Sequence, residues 1–388
     1  MTSRAARKPP ADKKAAGESE NAVRTESHQR RTPTIRDVAA LAGVSVGSVS
    51  KSLNGREGVS TPTRARVLEA AEQLGFQSNA LARNLLTGRS FTVGLITNDS
   101  FGRFSIPVML GAEDALQAGQ IAVLLCDGRD DPIREQHYVR TLLGRRVDGI
   151  IVTGRRSDPR PPISTDFPIP IVYAMSESTN PDDVSVLPDD EGGGRLAVEY
   201  LLATGRTRIG HITGPSDFRA VRLRSSGATG TLKEAGLSLV GDGPIHGAWS
   251  EEWGRQGASI LLRQAPEVDA IFCGSDQIAR GVAEALPEIG RNVPDDIALV
   301  GFDNWSVMAE ASRPPLTTID MNLSEVGRNA AQLLLAAIDG RHSRGTRLVA
   351  CQLVVRASTR APDHKYEGVP STSPPKSRRG RKLVEKGG

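Results

Sequence analysis

Between residues 33 and 77, apolar residues recur every three or four positions, a spacing that predicts short amphipathic helices. The apolar residues of the segment IRDVAALA lie on one helical face: Ile35, Val38, Ala39 and Ala42. The preceding Thr34 and the Asp37 that follows it resemble a shortened capping box. Gly43 stands where a left-handed residue ends a helix, so the first helix is predicted to stop there.

Two more helices are predicted in the same small domain. Ser45 can cap the second helix, whose inward positions are Val49 and Leu53. The segment TPTRARVLEAAEQLG predicts the third helix, with Thr61 as its cap and Gly75 at its end. We therefore expect a three-helix domain over residues 33–77, preceded by a disordered basic arm over residues 1–32.

From residue 91 onward, apolar β-rich runs alternate with helical segments. The predicted strands are FTVGLIT, IAVLLCD, DGIIVTG, IPIVYA, RIGHITG, DAIFCGSD, IALVGFD and a closing LVACQLVV. The predicted helices cover residues 106–118, 132–144, 191–203, 222–235, 251–264, 276–286 and 323–339. The alternation is typical of doubly wound parallel sheets, and the series opened by FTVGLIT restarts at TRIGHIT. We predict a two-lobed α/β body over residues 91–361, with a ligand cleft beyond the carboxyl ends of its strands.

The length of 388 residues predicts two or three compact units, and 38% hydrophobic residues are typical of a soluble globular protein. No apolar run reaches the roughly 18 residues of a membrane-spanning helix, and the basic start lacks the apolar core of a secretory signal. Cys126, Cys273 and Cys351 lie far apart in apolar runs, so we interpret them as reduced core residues. These features predict a cytoplasmic protein without a membrane partner.

The net charge of +4 hides an uneven distribution along the chain. Residues 1–90 contain 15 Lys/Arg and 8 Asp/Glu, residues 91–361 contain 27 and 34, and residues 362–388 contain 7 and 3. A basic head on an acidic body favours a polyanion as the partner of the head. The basic tail over residues 362–388 is predicted to be disordered, and solubility alone is a sufficient role for it.

The stretch DVAALAGVSVGSVSKSLNG has the spacing of a helix–turn–helix motif, although a generic helical hairpin has the same spacing. The second helix would expose Val46, Gly47, Ser48 and Lys51 toward base edges. Basic flanking residues favour DNA binding, because phosphate contacts supply most of the affinity. These flanking residues are Arg30, Arg31, Arg36, Lys51, Arg56, Arg64 and Arg66.

Residues 78–90, with the sequence SNALARNLLTGRS, predict a short helix with Leu81 and Leu85 one turn apart. One interpretation is a linker with an amphipathic turn. The other is a hinge helix and linker in which an apolar side chain wedges into a minor-groove base step. Since so short a helix is marginal in isolation, its order would depend on DNA and on a partner subunit.

These stretches, together with VSTPTRARVLEAAEQLGFQSNALARNLLTG and the two-lobed body, resemble the lactose/galactose repressor (LacI/GalR) family of bacterial transcription regulators. The resemblance covers residues 33–360. It implies a homodimer whose paired heads bind a near-palindromic double-stranded DNA operator. It also implies a body like the periplasmic sugar-binding proteins that binds a small-molecule effector, expected to be a sugar.

By this resemblance, the DNA-binding residues are Thr34, Ser45, Val46, Gly47, Ser48, Ser50, Lys51, Asn54, Asn79, Ala82 and Leu85. Leu85 is the expected wedge, and Ser78 replaces the proline usual in the family, which predicts a less preorganised hinge. Val46 and Gly47 carry no hydrogen-bonding side chains, so they cannot read bases by bidentate hydrogen bonds. Contact with thymine methyl groups or readout of DNA shape must contribute more.

Effector-binding residues are also expected in the cleft: Arg224, Asp303, Ser275, Asp276, Trp249, Phe101 and Phe104. Ser275, Asp276 and Asp303 fall at predicted strand ends that face the cleft, and Phe101 and Phe104 follow the first strand. Arg224 aligns with the effector-binding arginine of the family. A guanidinium and a carboxylate there can grip vicinal hydroxyls, and Trp249, Phe302 or Trp305 can stack on a sugar face. Simpler roles stay open, with Asp276 as a helix cap and the tryptophans as core residues. The residue before Asp276 is often asparagine in the family and is serine here, which leaves the identity of the effector open.

Motifs of enzymes and cofactor sites are missing, since the chain has no Walker loop, GxSxG elbow or HExxH helix and no metal spacing among its histidines. EGGGR at residues 191–195 predicts close packing at a helix start. Three carboxylate pairs beside prolines or glycines are interpreted as turn and cap residues: Asp182/Asp183, Asp189/Asp190 and Asp295/Asp296.

The sequence therefore predicts a ligand-controlled transcription regulator, usually a repressor, without enzymatic activity, cofactor or metal. The alternative from another class is a sugar-binding or transport protein with an incidental helical extension. A third hypothesis is an enzyme on the α/β body.

Overall fold

The computed structural model describes residues 33–53, 57–76, 89–116, 121–164 and 167–359. The chain divides into two compact units, Met1–Arg83 and Asn84–Gly388. We call them the head and the body. The predicted basic arm, hinge helix and basic tail lie outside the described residues.

The described part of the head contains three helices: α1 (Ile35–Ala42), α2 (Val46–Leu53) and α3 (Thr61–Leu74). Val38, Val49 and Val67 are fully buried, one from each helix, and form the centre of a small apolar core. The predicted inward positions of α1 and α2 are confirmed. A few valines and alanines can hold this core because small residues let short helices pack closely.

The helix ends of the head follow the predicted signals with one exception. Gly43 and Gly75 have φ angles of 64° and 60°, the left-handed conformations that end α1 and α3. Ser60, rather than Thr61, occupies the cap position of α3, and Thr61 begins the helix. The prediction was wrong by one residue because both side chains are favourable at a helix start.

The first lobe of the body is built on a six-stranded sheet. Its strands are β1 (Thr92–Thr97), β2 (Ala122–Asp127), β3 (Gly149–Thr153), β5 (Ile171–Ala174), β7 (Val184–Pro188) and β13 (Gly345–Val349). They lie in the order β13-β7-β5-β3-β1-β2, and all neighbours are parallel. Two short strands, β4 (Pro159–Arg160) and β6 (Glu177–Ser178), pair separately beside this sheet.

The second lobe has its own six-stranded sheet. Its strands are β8 (Ile209–Thr213), β9 (Ile245–His246), β10 (Ala270–Cys273), β11 (Ala298–Phe302), β12 (Thr317–Asp320) and β14 (Gln352–Val354). Their order is β14-β12-β11-β10-β8-β9, with β14 antiparallel to β12 and the other neighbours parallel. The two doubly wound parallel sheets predicted for the body are confirmed.

Helices cover the sheets and tie the lobes together. They are α4 (Ser105–Ala115), α5 (Pro132–Gly144), α6 (Asp190–Ala203), α7 (Arg219–Glu234), α8 (Glu251–Gln264), α9 (Asp276–Glu288), α10 (Ser306–Ala309) and α11 (Leu323–Ile338). α6 follows β7 of the first lobe but packs against α7 and β12 of the second. In return, α11 follows β12 and packs against α4 and β5 of the first lobe. The chain thus crosses between the lobes, and the two sheets face a shared cleft.

Two parts of the strand prediction were wrong. The closing run LVACQLVV is not one strand, because β13 belongs to the first sheet and β14 to the second, so the chain changes lobe near Cys351. Strands β7 and β12 were not predicted. Every residue of Val184–Pro188 is buried, as in strands covered on both faces. Its serine and proline interrupt the apolar run in the sequence, although neither is exposed in the structure.

Glycines of the EGGGR segment let α6 and α7 approach closely, as predicted. A Cβ atom built on Gly194 would lie 2.1 Å from the backbone oxygen of Arg224, and one built on Gly193 would meet the Phe302 ring at 2.7 Å. Only glycine fits such approaches. This packing brings Arg224 on α7 against the first turn of α6.

Candidate functional site

The second helix of the head presents its predicted recognition residues to solvent. Val46 is 42% exposed, and Gly47 and Lys51 are also exposed. The Ser45 hydroxyl accepts the backbone N–H of Ser48 at 3.1 Å, so Ser45 caps α2 as predicted. The residues between this cap and the buried Val49 therefore form an accessible surface at the start of a helix, which is the geometry that a major-groove reader needs.

The remaining predicted DNA-binding residues have mixed positions. Thr34 donates its backbone N–H and its hydroxyl to the Asp37 carboxylate, each at 2.7 Å, so its side chain is already engaged in the α1 cap. Ser48 and Ser50 are half-buried. The other four lie outside the described residues: Asn54, Asn79, Ala82 and Leu85.

A cavity of about 280 Å³ lies between the two lobes of the body, beyond the carboxyl ends of their strands. We call it the first cavity. Its lining includes five of the predicted effector-binding residues: Phe104, Arg224, Trp249, Ser275 and Asp303. The first lobe contributes Phe104, and the second contributes the other four. The topology thus brings residues nearly 200 positions apart to a single site.

A buried ion cluster forms the floor of this cavity. The Arg224 Nε donates to Asp190 at 2.8 Å, Nη1 donates to the backbone oxygen of Gly274 at 2.7 Å, and Nη1 lies 3.5 Å from Asp303. Burial alone would lower the pKa of the Arg224 guanidinium, but Asp190 and Asp303 raise it, and the net shift is upward. Arg224 therefore stays charged, with its orientation set by groups from α6, β11 and β10.

Arg103, on the loop between β1 and α4, spans the cleft. It pairs with Asp303 and donates to the side-chain oxygen of Gln277 in the second lobe at 2.9 Å. Its guanidinium also lies 4.4 Å from the centre of the Trp305 ring and 4.8 Å from that of Phe104. Arg103 therefore links the lobes by a charge pair held between two aromatic rings.

Aromatic rings form one wall of the cavity. Trp249 packs edge-on against Phe218, with ring centres 5.8 Å apart, and Arg156 lies 3.9 Å above the Phe218 ring. Phe302 differs from the expectation, because it is fully buried beneath the guanidinium of Arg224 and offers no face to a ligand. Trp305 likewise stacks on Arg103 and does not line this cavity.

Ser275, and not Asp276, both caps the helix and lines the cavity. Ser275 caps α9 by accepting the backbone N–H of Ile278 at 3.3 Å, and it also lines the cavity. Asp276 is fully buried, does not line the cavity and is not the cap. It accepts the Thr318 hydroxyl at 2.5 Å and the backbone N–H of Trp305 at 2.7 Å. Burial, together with the nearby Asp303, raises the pKa of the Asp276 carboxyl well above its ordinary value.

Comparisons with known proteins agree with both parts of this geometry. The profile of bacterial regulatory proteins of the lacI family matches residues 34–79, and that of periplasmic binding protein-like domains matches residues 198–359. The HTH-type transcriptional regulator CelR of Thermobifida fusca is 35% identical over 339 residues, which are 85% of this chain and 99% of CelR. The chain belongs to the LacI family of bacterial regulatory proteins.

Solved structures of LacI-family proteins share the fold. The transcriptional regulator CelR–cellobiose complex is 32% identical, with a TM-score of 0.58, and the match covers 84% of this chain and 99% of that one. The lac repressor dimer bound to operator and the anti-inducer ONPF is 26% identical, with a TM-score of 0.64, covering 85% and 100%. The LacI-family resemblance and the two-lobed fold predicted from the sequence are confirmed.

Several residues of this LacI-family cleft were missed by the sequence analysis. They are Arg103, Arg156, Ser157, Asp158, Met175, Asp190 and Phe218. Asp190 belongs to a carboxylate pair interpreted as turn and cap residues, and that interpretation holds for Asp189, which caps α6, but not for Asp190. Arg103 could have been predicted, because it lies between Phe101 and Phe104, which were both predicted to bind the effector.

Phe101 does not line the cavity. Its side chain is 97% exposed, because the loop after β1 turns outward there before α4 begins. Among the described residues, no cluster of histidine, cysteine and carboxylate side chains could hold a metal ion, and no helix is long and apolar enough to span a membrane. The expected absence of cofactor and metal stays a prediction.

Proposed function

We propose that this protein is a sequence-specific DNA-binding repressor whose operator affinity is set by a neutral sugar in the first cavity. The observation that carries the proposal is the combination, in one chain, of an exposed helix–turn–helix surface and a cleft with a charged floor and an aromatic wall. Its LacI-family relatives include a regulator solved with cellobiose and a repressor solved on its operator.

A neutral polyhydroxylated effector fits the charges of the cleft. The guanidinium groups of Arg103 and Arg224 are already matched by Asp190 and Asp303, so they offer fixed N–H donors rather than net positive charge. Carboxylate oxygens beside them can accept ligand hydroxyl groups. Trp249 lines the cavity, and its ring supplies an apolar surface for the C–H face of a sugar ring.

Control of DNA binding would work through closure of the two lobes. The contacts of Arg103 with Asp303 and of Arg219 with Glu177 join the first lobe to the second in the present arrangement. An effector that touches both lobes stabilises this arrangement over an open one. It can shift the balance only by the difference in its affinity for the two states. We expect a homodimer, whose symmetry would match a near-palindromic operator.

Operator choice would depend on the small side chains of α2. Val46 and Gly47 can contact thymine methyl groups or allow a close approach of the helix to the groove, whereas Lys51 can donate to a base or a phosphate. Leu85, outside the described residues, is proposed as the minor-groove wedge. Leu85→Ala should therefore weaken binding to the operator more than binding to unrelated DNA, and an equal loss would argue against a wedge.

A footprint on DNA flanking the protein's own gene tests the proposal. We expect protection of a near-palindromic site, with affinity that falls steeply between 50 and 200 mM salt because phosphate contacts release counterions. Adding the effector should change that affinity at fixed salt. Binding without sequence preference, or without response to any sugar that binds the body, would contradict the proposal.

A further inference from the structure

Helix α7 of the second lobe begins without the residues that usually stabilise a helix start. Its cap position is Phe218, which has no side-chain oxygen to accept a hydrogen bond, and its first turn contains no acidic residue. Arg219 and Arg222 place two positive charges there instead. Both features are unfavourable, because the first N–H groups of a helix need acceptors and the positive end of the helix dipole repels cations.

Four other helices of the body are stabilised by their own sequence. Each is capped by its preceding residue and has an acidic residue in its first turn, namely α5, α6, α8 and α9, capped by Asp131, Asp189, Ser250 and Ser275. By this comparison, α7 needs an acceptor and a negative charge from another part of the chain.

The first lobe supplies the missing acceptor. Asp158, in the loop after β3, accepts the backbone N–H of Arg219 through Oδ1 at 2.9 Å. Asp158 belongs to the first lobe and α7 to the second, so this hydrogen bond crosses the cleft. The N-terminal cap of α7 therefore comes from the opposite lobe.

The first lobe also supplies the negative charge. Glu177, on β6, forms an ion pair with the side chain of Arg219, and both side chains are largely buried. The Thr346 hydroxyl on β13 donates to Glu177 at 2.8 Å and holds it in place. Since Pro159 on β4 pairs with Glu177 on β6, the short sheet of these strands places Asp158 and Glu177 next to each other.

Farther along, α7 is held by its own lobe. A Cβ atom built on Gly227 would lie 2.0 Å from the backbone oxygen of Glu191, and the Ser226 hydroxyl donates to the Glu191 side chain at 2.7 Å. Both contacts join α7 to α6. Arg224 lies between this fixed part of α7 and the first turn that the first lobe caps.

We propose that Asp158 and Glu177 are positioning residues, which complete the first turn of α7 when the lobes close and thereby orient Arg224. When the lobes open, both carboxylates move away with the first lobe and the first turn frays. This inference deepens the proposed function, because Arg224 lines the cavity assigned to the effector. An effector then meets a fully formed site only in the closed arrangement, which couples its binding to closure.

Hydrogen exchange of the full chain, measured by mass spectrometry without DNA or sugar, tests the cap. Asp158→Ala should speed the exchange of backbone amides 219–224 roughly tenfold and leave amides 227–234 within about twofold of the parent. Asp158→Asn keeps an acceptor oxygen and should restore exchange to within about threefold of the parent. Glu177→Gln keeps a hydrogen bond but removes the charge, so it should speed exchange by about two- to threefold.

Ser250→Ala is the matched control, because it removes a cap of α8 that lies within the second lobe. The Ser250 hydroxyl accepts the backbone N–H of Trp253 at 3.1 Å. This variant should speed exchange at the start of α8 and leave α7 unchanged, and exchange in β10 and β11 should stay constant in every variant that keeps the fold. Parental exchange of amides 219–224 in Asp158→Ala, or an equal increase in α8, would overturn the inference.

Arg103→Met tests whether the order of the first turn depends on lobe closure. Arg103 joins the lobes through Asp303 and Gln277 and makes none of the contacts at the start of α7. Its loss should speed exchange of amides 219–224 at least threefold and leave the start of α8 unchanged. Parental exchange in α7 would show that its first turn is ordered whether or not the lobes are closed, and the inference would be wrong. Because these measurements contain neither sugar nor DNA, they can fail while the operator footprint succeeds, and the reverse.

Discussion

The head and the cleft of the body use opposite kinds of surface. The head presents small, exposed and chemically simple residues, Val46 and Gly47, over a core of valines and alanines. The cleft is built from buried charges, in which Arg224, Asp190 and Asp303 hold one another in place. An exposed surface can change its specificity without changing its stability, whereas a buried charge cluster cannot.

Replacing Arg224 should have the largest effect on stability, because the buried charge cluster of the body depends on its guanidinium. Arg224→Met leaves Asp190 and part of Asp303 buried without their cation, so we expect the free energy of unfolding to fall by about 3–5 kcal/mol. All three tryptophans of the chain are in the body, so tryptophan fluorescence during urea unfolding measures this region.

Arg222 lies two residues before Arg224 on α7, is exposed and provides the control. Arg222→Met should change the free energy of unfolding by less than about 0.5 kcal/mol. Equal losses from the two substitutions would show that the charge cluster does not stabilise the closed body.

Acidification should destabilise the body through the buried His211. The described part of the head contains no histidine. Burial lowers the pKa of His211 to about 4, although its ring bonds the Phe272 carbonyl at 2.8 Å. Because this pKa lies below the unfolded value of about 6.5, the unfolded chain binds more protons between these limits. The body is therefore fully stable, as far as His211 is concerned, above pH 6.5 and loses about 3 kcal/mol as the pH falls to 4.

His211→Gln isolates this effect from the carboxylates that titrate in the same range. The free energy of unfolding, followed by tryptophan fluorescence from pH 7 to 4, should fall less steeply in the variant than in the parent. Parallel curves for the two proteins would contradict the assignment.

Two valines of one helix test the separation of stability and specificity in the head. Val49 is fully buried, so Val49→Ala should lower the stability of the head by about 2 kcal/mol and weaken binding to all DNA. Val46 is 42% exposed, so Val46→Ala should change stability by less than about 0.5 kcal/mol and alter only the preference among operators. Calorimetry of the head transition and competition between operator and unrelated DNA measure both quantities.

Alanine substitutions at two glycines should change the free energy of unfolding in opposite directions. A Cβ atom on Gly47 would meet only the Ser45 hydroxyl, at 3.7 Å, so Gly47→Ala should stabilise the head by about 0.5–1 kcal/mol. A Cβ atom on Gly194 would lie 2.1 Å from a backbone oxygen, so Gly194→Ala should destabilise the body by roughly 1–3 kcal/mol. Stabilisation at both positions would contradict the close approach of α6 and α7.

Local sequence was a good guide wherever one residue decides a local structure. Gly43, Gly75 and Ser45 begin or end helices as predicted, because capping and left-handed conformations depend on the residue itself. It was a poorer guide to strands such as Val184–Pro188, whose burial comes from the layers around them. The predicted strand ends indicated Asp303, whereas the resemblance to a known family supplied Arg224, which lies within a helix and which periodicity alone would not have selected.

The sequence by itself determined the three-helix head, the alternation of strands and helices, and the small residues on the recognition helix. These depend on periodicity and on properties of neighbouring residues, which are all local. Only the tertiary structure decided that Asp190 pairs with Arg224, that Arg103 crosses to Asp303, and that Phe302 and Asp276 are buried away from the cavity. Such contacts join strand ends far apart in the chain, and their energies depend on burial and charge pairing that no local pattern contains.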